Sequence, residues 1–191
     1  MSSEINTSKT AAQASKMRFV FLGMFAALSI VFVTLVHIPI LPAAPFLEYD
    51  PADVPILIGT FAYGPVWGLV LTAVVCIVQG LTVSAASGWW GILMHFLATG
   101  GMVLVAGLIY RGNRTRKGAV AGLIAGALTM IVLMIPLNIL IDPLYLGASK
   151  ELVIGMLLPA IIPFNAIKSV LNCLITFFVY KAVSRLINKV S

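Results

Sequence analysis

Charged side chains are scarce in this chain of 191 residues. Only 9% of its residues are Asp, Glu, Lys or Arg, and only six residues are acidic. A soluble domain carries about 25% charged residues, so this chain has too little polar surface to cover a molecule in water. The shortage excludes a soluble enzyme and a disordered chain, and two cysteines are too few for a disulfide scaffold.

Groups that carry out covalent or metal chemistry are also few. Cys76 and Cys173 stand inside apolar segments without a C-x-x-C spacing, so they are expected to be small buried hydrophobes. The chain has no phosphate-binding glycine loop, no H-E-x-x-H zinc motif and no G-x-S-x-G nucleophile. We therefore expect no catalytic residues, no metal and no cofactor, and the chain is not predicted to be an enzyme.

Long apolar runs dominate the chain instead. It is 61% hydrophobic with a mean hydropathy of +1.09, which indicates an all-α integral membrane protein. A helical span needs about 20 apolar residues, and the sequence predicts six transmembrane helices in a single membrane domain, residues 17–191. Residues 1–16 are predicted to be a disordered cytoplasmic tail, and residues 151–162 a short surface or re-entrant helix before Pro163 opens the last span. The six spans are expected at residues 17–38, 53–63, 66–83, 89–110, 118–141 and 163–187.

The basic residues predict which side of the membrane each loop occupies. Lys and Arg are enriched in cytoplasmic loops, and six spans would bring ten of the twelve basic residues to one side and five of the six acids to the other. Both termini are therefore predicted to be cytoplasmic, in a multi-pass protein of the prokaryotic plasma membrane. The basic residues lie before the first span, between the fourth and fifth spans and at the C-terminus: Lys9, Lys16, Arg18, Arg111, Arg114, Arg116, Lys117, Lys181, Arg185 and Lys189.

Lys168 is the only charged residue deep inside an apolar run. A charge in the bilayer is costly and usually faces a cavity or a partner. Asn165, Lys168 and Asn172 are spaced i, i+3 and i+7, which places them on one helical face. They predict a small-molecule site that opens outward, and contact between helices is the alternative. Polar residues at similar depth in other spans are expected to join the site: Asn138, His95 and Gln79.

The predicted outer loop between the first two spans, HIPILPAAPFLEYDPADVP, contains five prolines and three acids. Proline makes the chain stiff and extended, so the loop is suited to lie over the cavity as a lid. An ordinary connector is equally consistent with the sequence. Asp53, near the end of this loop, is also a candidate cap of the second helix.

Small residues mark two helix faces. Gly23 and Ala27 are four residues apart in the first span, and such pairs let another helix approach closely. We interpret this pair as a docking face for another membrane subunit, and the ladder of Gly118, Gly122 and Gly126 as internal packing. The sequence shows neither a nucleotide site nor a membrane-buried carboxylate, so energy for transport would come from a partner.

Two stretches of the chain resemble a known family. FLEYDPADVPILIGTFAYGPVWG, residues 46–68, and IIPFNAIKSVLN, residues 161–172, are similar to parts of the substrate-binding (S) components of energy-coupling factor (ECF) vitamin transporters, and most of all to the riboflavin-specific branch. The resemblance covers nearly the whole chain. It implies a protein that captures a vitamin at the outer face and docks on a membrane scaffold subunit with two cytosolic ATPases. The S component then topples in the membrane to deliver the ligand inward.

The resemblance also implies roles for individual residues. Asn165 and Lys168 match the Asn and Lys of the family motif PFNxIK, which contact the flavin ring, and Asn138 matches a further Asn that reaches the ring. The implied lid residues are Phe46, Leu47 and Tyr49. The implied contacts with the scaffold subunit are Gly23, Ala26 and Ala27.

Two departures from the family pattern leave other ligands open. No basic residue stands near Val75 or Cys76 in the third span, and His95 takes a position where flavin binders often have Asn. One alternative is an S component for another vitamin, such as pantothenate, a pyrimidine precursor or a corrinoid. From other classes, the alternatives are a membrane-embedded lipid-modifying enzyme and a structural subunit without a ligand. No nucleic acid partner is expected.

Overall fold

Helices account for most of the described chain. The computed structural model describes residues 2–42, 44, 47–147 and 149–190. Its helices are α1 (Ser2–Leu35), α2 (Asp53–Tyr63), α3 (Pro65–Leu81), α4 (Gly88–Gly112), α5 (Arg116–Leu146), α6 (Lys150–Met156) and α7 (Ile162–Val190). The other elements are strands β1 (Ile38–Pro39) and β2 (Glu48–Tyr49), a 3₁₀ turn (Ala85–Ser87) and a π-helical turn (Leu157–Ile161).

Each of the six predicted spans corresponds to a helix. The bounds of the second span, predicted at residues 53–63, are confirmed by α2. In the part of the chain that the structure describes, four helices are long and apolar enough to cross a membrane, whereas α2 and α3 have only 11 and 17 residues. The four long apolar segments are Ser15–Leu35, Gly88–Gly112, Arg116–Leu144 and Lys150–Val183.

The N-terminal segment is helical, although the sequence predicts a disordered tail at residues 1–16. α1 begins at Ser2. Residues 2–16 contain alanine, lysine, glutamine and glutamate but no glycine or proline, so helix propensity lets the first span extend towards the N-terminus. The apolar part of α1 begins near Ser15, and the division between a tail and a membrane domain stays a prediction.

The short helix expected before the last span is present as α6, but it is not separate from that span. The Ser149 side chain caps it by accepting a hydrogen bond from the Leu152 backbone N–H at 3.2 Å. The helical run then continues without a break from Lys150 to Val183. Prolines at positions 159 and 163 lack the N–H groups that an α-helix uses, and the wider π-helical turn accommodates this loss.

The loop between α1 and α2 folds back as a hairpin. β1 pairs antiparallel with β2, so that Ile38 lies opposite Tyr49 and Pro39 opposite Glu48. His37 Nδ1 lies 2.9 Å from Glu48 Oε2. The described part of the loop is therefore extended, as its prolines predict, and it brings acidic residues back over one end of the bundle.

α2 lies at the centre of the bundle. All residues from Asp53 to Phe61 are buried, and the helix contacts α1, α3, α4 and α7. A helix that is apolar on every side is buried on every side, so α2 is surrounded by protein rather than by lipid. Gly64, at a φ of +98°, then turns the chain, and Pro65 starts α3.

α4 and α5 pack closely through glycine. A Cβ atom on Gly122 would lie 2.8 Å from the carbonyl oxygen of Ala106, and one on Gly126 would lie 2.9 Å from that of Met102. Gly118 is similarly close to the backbone of the α4–α5 connection. The interpretation of this ladder as internal packing is confirmed, and the contact joins two helices that line the cavity described below.

Candidate ligand-binding site

A polar cavity of ≈ 280 Å³ lies at the end of the bundle where the hairpin folds back. Its lining comes from β2 and the residues on either side of it, α3, the α3–α4 connection, α4, α5 and α7. The polar lining residues are Glu48, Asp50, Gln79, Ser84, Ser87, His95, Asn165 and Lys168. The larger apolar ones are Leu47, Ile92, Met94, Met130, Met134 and Phe164.

Lys168 is held by a carboxylate of the hairpin loop. Its Nζ atom donates to Asp50 Oδ2 at 2.8 Å, and the two side chains are only 11% and 10% exposed. The other carboxylate oxygen, Oδ1, accepts the backbone N–H of Ala52 at 3.0 Å. Asp50 is therefore the counter-charge that a buried lysine requires. The sequence contained a signal for this pair, because a buried lysine needs an acid and the acid-rich loop before α2 is the only described loop that offers several.

Asp53 organises neutral side chains from two other helices. Its Oδ1 atom accepts from Thr99 Oγ1 at 3.0 Å, and its Oδ2 atom accepts from Asn172 Nδ2 at 3.1 Å. The sequence suggested Asp53 as the cap of α2, but this is wrong. The cap position is Ala52, and no side chain makes a capping hydrogen bond there. Asp50, Asp53 and Asp142 are all buried inside the protein, and the expectation of no membrane-buried carboxylate for ion coupling stays a prediction.

Tyr49 and Asn172 complete this network behind the cavity. The Tyr49 hydroxyl donates to Asn172 Oδ1 at 2.9 Å. Burial, reinforced by the negative charge of Asp50, raises the pKa of the Tyr49 phenol, so the hydroxyl stays protonated and can donate. Asn172 thus uses its amide nitrogen towards Asp53 and its amide oxygen towards Tyr49, and neither Asn172 nor Tyr49 lines the cavity.

The other two predicted asparagines are buried and bond to backbone. Asn165 lines the cavity, and its Nδ2 atom donates to the Ile161 carbonyl in the π-helical turn at 2.8 Å. Asn138 Nδ2 donates to the Met134 carbonyl at 2.6 Å. Asn138 does not line the cavity, but Met134 does, so Asn138 lies one helical turn along α5 from the lining.

His95 and Gln79 line the cavity with polar atoms that have no hydrogen-bond partner among the described residues. His95 Nε2 is buried and lies 3.6 Å from Asp53 Oδ1, beyond hydrogen-bond distance. Gln79 Nε2 donates to Ser84 Oγ at 3.3 Å, whereas its Oε1 atom is buried and unpaired. Buried polar atoms are normally paired, so these two atoms are cavity-lining side-chain groups whose hydrogen-bonding capacity is unused among the described residues.

The structure brings together most of the residues that the sequence singled out. The predicted residues that line the cavity are Leu47, Gln79, His95, Asn165 and Lys168. Tyr49, Asn138 and Asn172 lie outside its lining, and Phe46 lies outside the described residues. Their roles as ligand contacts stay predictions. The carboxylates Asp50 and Asp53, and the two methionines of α5, had no predicted role in the site.

The predicted docking face on α1 is only partly open. Gly23 and Ala27 are exposed, and no atom lies within 4 Å of a Cβ built on Gly23. Ala26 is half-buried and packs against the hydrophobic core. Ala26 therefore lies at the border of the open face, on the side of α1 that turns towards the core.

A known family shares the sequence pattern of this chain. The family described as the ECF transporter substrate-specific component matches residues 17–180. This chain belongs to that family. The match extends from the apolar part of α1 into α7, and so includes every described residue that lines the cavity.

Relatives of this S component are similar over most of its length. The riboflavin transporter RibU of Staphylococcus aureus (strain TCH60) is 28% identical over 179 residues, which cover 91% of this chain and 93% of that protein. RibU of Lactococcus lactis subsp. cremoris (strain NZ9000) is 24% identical over 182 residues, with coverage of 83% and 88%. The riboflavin transporter FmnP of Bacillus subtilis (strain 168) is 26% identical over 161 residues, with coverage of 80% and 84%.

A solved structure shares the fold. It is described as the S component of a bacterial ECF transporter, and it superposes with a TM-score of 0.74 at 31% identity. The superposition covers 90% of this S component and 98% of that chain. The family that the two sequence motifs indicate is therefore confirmed, and it is a family of transporter components.

Proposed function

We propose that this S component binds riboflavin in the cavity beside Lys168 and serves its uptake. The observation that carries the proposal is the buried Lys168–Asp50 pair in the lining of a polar cavity. A buried charge in a membrane segment usually marks a substrate site. The choice of riboflavin is supported by relatives that are named riboflavin transporters.

The flavin ring offers groups that this lining can recognise. Its uracil-like edge has carbonyl acceptors and an imide donor, which complement the ammonium of Lys168 and the amide of Asn165. Met130, Met134 and Phe164 offer polarisable and apolar surface for the ring. An ammonium has three donors, so Lys168 can keep Asp50 as its counter-charge while it donates to a neutral ligand.

The hairpin loop is proposed to act as the lid of the cavity. Leu47 and Glu48 line the cavity, and the Lys168–Asp50 pair ties the loop to α7. Phe46 is a further lid residue in this proposal. Ligand entry then requires movement of the loop relative to α7, which is the usual role of a lid.

The proposed orientation places the cavity at the outer face of the cell membrane. All six apolar helices cross the membrane, and both termini and the basic α4–α5 connection are cytoplasmic, as the distribution of Lys and Arg supports. A membrane scaffold subunit docks on the open α1 face around Gly23. Two cytosolic ATPases bound to that subunit supply the energy for toppling, which carries the vitamin inward.

An S component for another vitamin is the second candidate. The buried, unpaired atoms of His95 and Gln79 favour it, because a ligand with different polar groups could satisfy them. A lipid-modifying enzyme has no such support. Asp50 and Asp53 are the pair of carboxylates that such an enzyme would use, and both are engaged by other side chains.

Flavin fluorescence tests the proposal on the purified full chain in detergent. We expect saturable quenching when riboflavin is titrated, and Lys168→Ala should weaken binding by about 1–3 kcal/mol because it removes a charge-assisted hydrogen bond. Lys150→Ala removes an exposed lysine outside the cavity and is the matched control. Absence of quenching in the unchanged chain would rule out riboflavin, and unchanged affinity in Lys168→Ala would remove Lys168 from the site.

A further inference from the structure

A second cavity, of ≈ 320 Å³, lies at the opposite end of the bundle. Its basic lining residues are Arg114 of the α4–α5 connection, Arg116 at the start of α5 and Lys181 of α7, and none of its described lining residues is acidic. Tyr110 and Tyr180 also line it, with their hydroxyl oxygens 2.9 Å apart. The cavity therefore combines three cations with aromatic hydroxyl groups, a chemistry suited to an anion.

An apolar groove of ≈ 440 Å³ continues from this cavity along α5 and α7. Leu123, Phe177 and Phe178 line both spaces, so the two form one depression. Apart from Cys173, every described residue that lines the groove has a hydrocarbon side chain. Ile124 and Phe178 are mostly exposed, so the groove lies on the surface that meets the acyl chains of the bilayer.

We propose that this depression binds one anionic phospholipid. Its headgroup phosphate would lie beside Arg114 and Arg116, and one acyl chain would follow the groove between α5 and α7. Arginine suits phosphate because its planar guanidinium donates two parallel hydrogen bonds. Basic pockets between transmembrane helices on the cytoplasmic side bind anionic headgroups in other membrane proteins, and this end is cytoplasmic in the proposed orientation.

The combination of the two spaces selects a phospholipid over the other occupants. A free phosphate would suit Arg114 and Arg116 but leave the groove unfilled, and a neutral lipid would fill the groove but offer no anion to Arg114 and Arg116. A partner helix would approach through small residues. Those residues lie on α1, whereas bulky Phe177 and Phe178 border the groove.

Native mass spectrometry of the full chain tests this site with defined lipids. Phosphatidylglycerol should be retained in preference to phosphatidylcholine with the same acyl chains. Arg114→Gln with Arg116→Gln should lower the apparent affinity for phosphatidylglycerol by about fivefold for each cation removed. Lys117→Gln is the matched control, because Lys117 belongs to the same basic segment but does not line the cavity, and it should keep the preference.

A second variant tests the groove. Ile124→Trp should narrow it and weaken the binding of dioleoyl phosphatidylglycerol, while competition by inorganic phosphate stays unchanged. Equal retention of the two lipids, or equal loss in the Lys117 control, would overturn the proposal. Inorganic phosphate that displaces the lipid completely would show a site for a free anion, and cross-linking of Ile124 to the scaffold subunit would show a partner surface. Thermal unfolding checks that each variant is folded. The lipid measurements use no riboflavin, so their result does not depend on riboflavin binding.

Discussion

The ion pair between Lys168 and Asp50 joins residues 118 positions apart in the chain, and it holds the hairpin loop against α7. Each charge compensates the other in a region with little access to water, so neither side chain can be removed alone without a penalty. Asp53 is stabilised differently, by hydrogen bonds from the neutral side chains of Thr99 and Asn172. Asp50 therefore pairs directly with a charge, whereas Asp53 is held by neutral donors and has His95 Nε2 3.6 Å from its Oδ1 atom.

Asp50→Asn should destabilise the protein because it leaves the Lys168 ammonium without its counter-charge. Breaking a buried ion pair costs about 3–5 kcal/mol, whereas replacing both partners by apolar residues is often neutral. We therefore expect a larger loss of thermal stability in Asp50→Asn than in the double variant Asp50→Leu with Lys168→Met. Equal melting temperatures for the single and double variants would show that the pair is not coupled.

Asn172→Leu should affect stability more than ligand binding. It leaves the Tyr49 hydroxyl and one Asp53 oxygen without a partner, at about 1–3 kcal/mol for each group. Asn165→Leu is the matched comparison, because Asn165 lines the cavity and Asn172 does not. The melting temperature and riboflavin quenching are measured for both. If the Asn172→Leu protein has the melting temperature of the unchanged chain but no longer quenches riboflavin fluorescence, Asn172 is a ligand contact.

Lys168 could be identified from the sequence, because a lysine inside an apolar run is conspicuous. Its partner could not be chosen with the same certainty, since Glu48, Asp50 and Asp53 all lie in one loop. Which acid meets the lysine depends on how the hairpin folds back, and hydropathy contains no such information. The same limit applies to Asn172, whose spacing from Lys168 places it on the correct face but does not show that its amide is already used.

At the scale of elements, the contact between α4 and α5 is the most extensive contact between two helices of the described chain. The Gly122 and Gly126 positions lie against backbone carbonyls rather than against side chains that could move. A methyl group added at either position would therefore force α4 and α5 apart. Cavity-lining residues from both helices, such as His95 and Met134, depend on this spacing.

Gly122→Ala should lower the melting temperature, although alanine has the higher helix propensity. Overpacking of a close contact costs about 1–3 kcal/mol, which exceeds the gain of about 1 kcal/mol from propensity. Gly23→Ala is the control, because no atom lies within 4 Å of a Cβ at Gly23, and it should keep or raise stability. Similar melting temperatures for the two variants would contradict the close packing of α4 on α5.

Element boundaries followed from the sequence where strong breaks flank an apolar run. The bounds of α2 agree because Pro51 precedes it and Gly64–Pro65 ends it. The start of α1 differs because hydropathy does not register the helix propensity of a polar segment. The sequence did not predict the continuity of α6 with α7, because two prolines normally indicate a break in a helix. Here the π-helical turn accommodates the prolines, and the helix continues.

At the scale of the whole molecule, the two ends of the bundle carry different chemistry. One end has the polar cavity with the carboxylates Asp50 and Asp53, and the other has a basic cavity with an apolar groove. The open side of α1, around Gly23 and Ala27, is separate from both cavity linings. The proposed ligand site and the proposed docking surface therefore share no residue and can be altered independently.

Gly23→Leu with Ala27→Leu should block uptake and spare ligand binding. Bulky side chains on the open side of α1 would keep a partner helix from approaching, while the cavity residues remain unchanged. Val20→Leu, which changes an exposed position of the same helix that is already bulky, should leave uptake intact. Uptake is followed in cells and binding on the purified chain. Survival of uptake in the double variant would move the docking surface elsewhere.

The central position of α2 also limits how a vitamin can cross. Its residues from Asp53 to Phe61 fill the axis of the bundle, and the helices on all sides pack against them. Their amides should be among the slowest to exchange with deuterium, since exchange there requires the surrounding helices to separate. As long as α2 keeps this packing, the middle of the bundle offers no passage to a molecule the size of a vitamin, which agrees with the proposal that the S component moves together with its ligand.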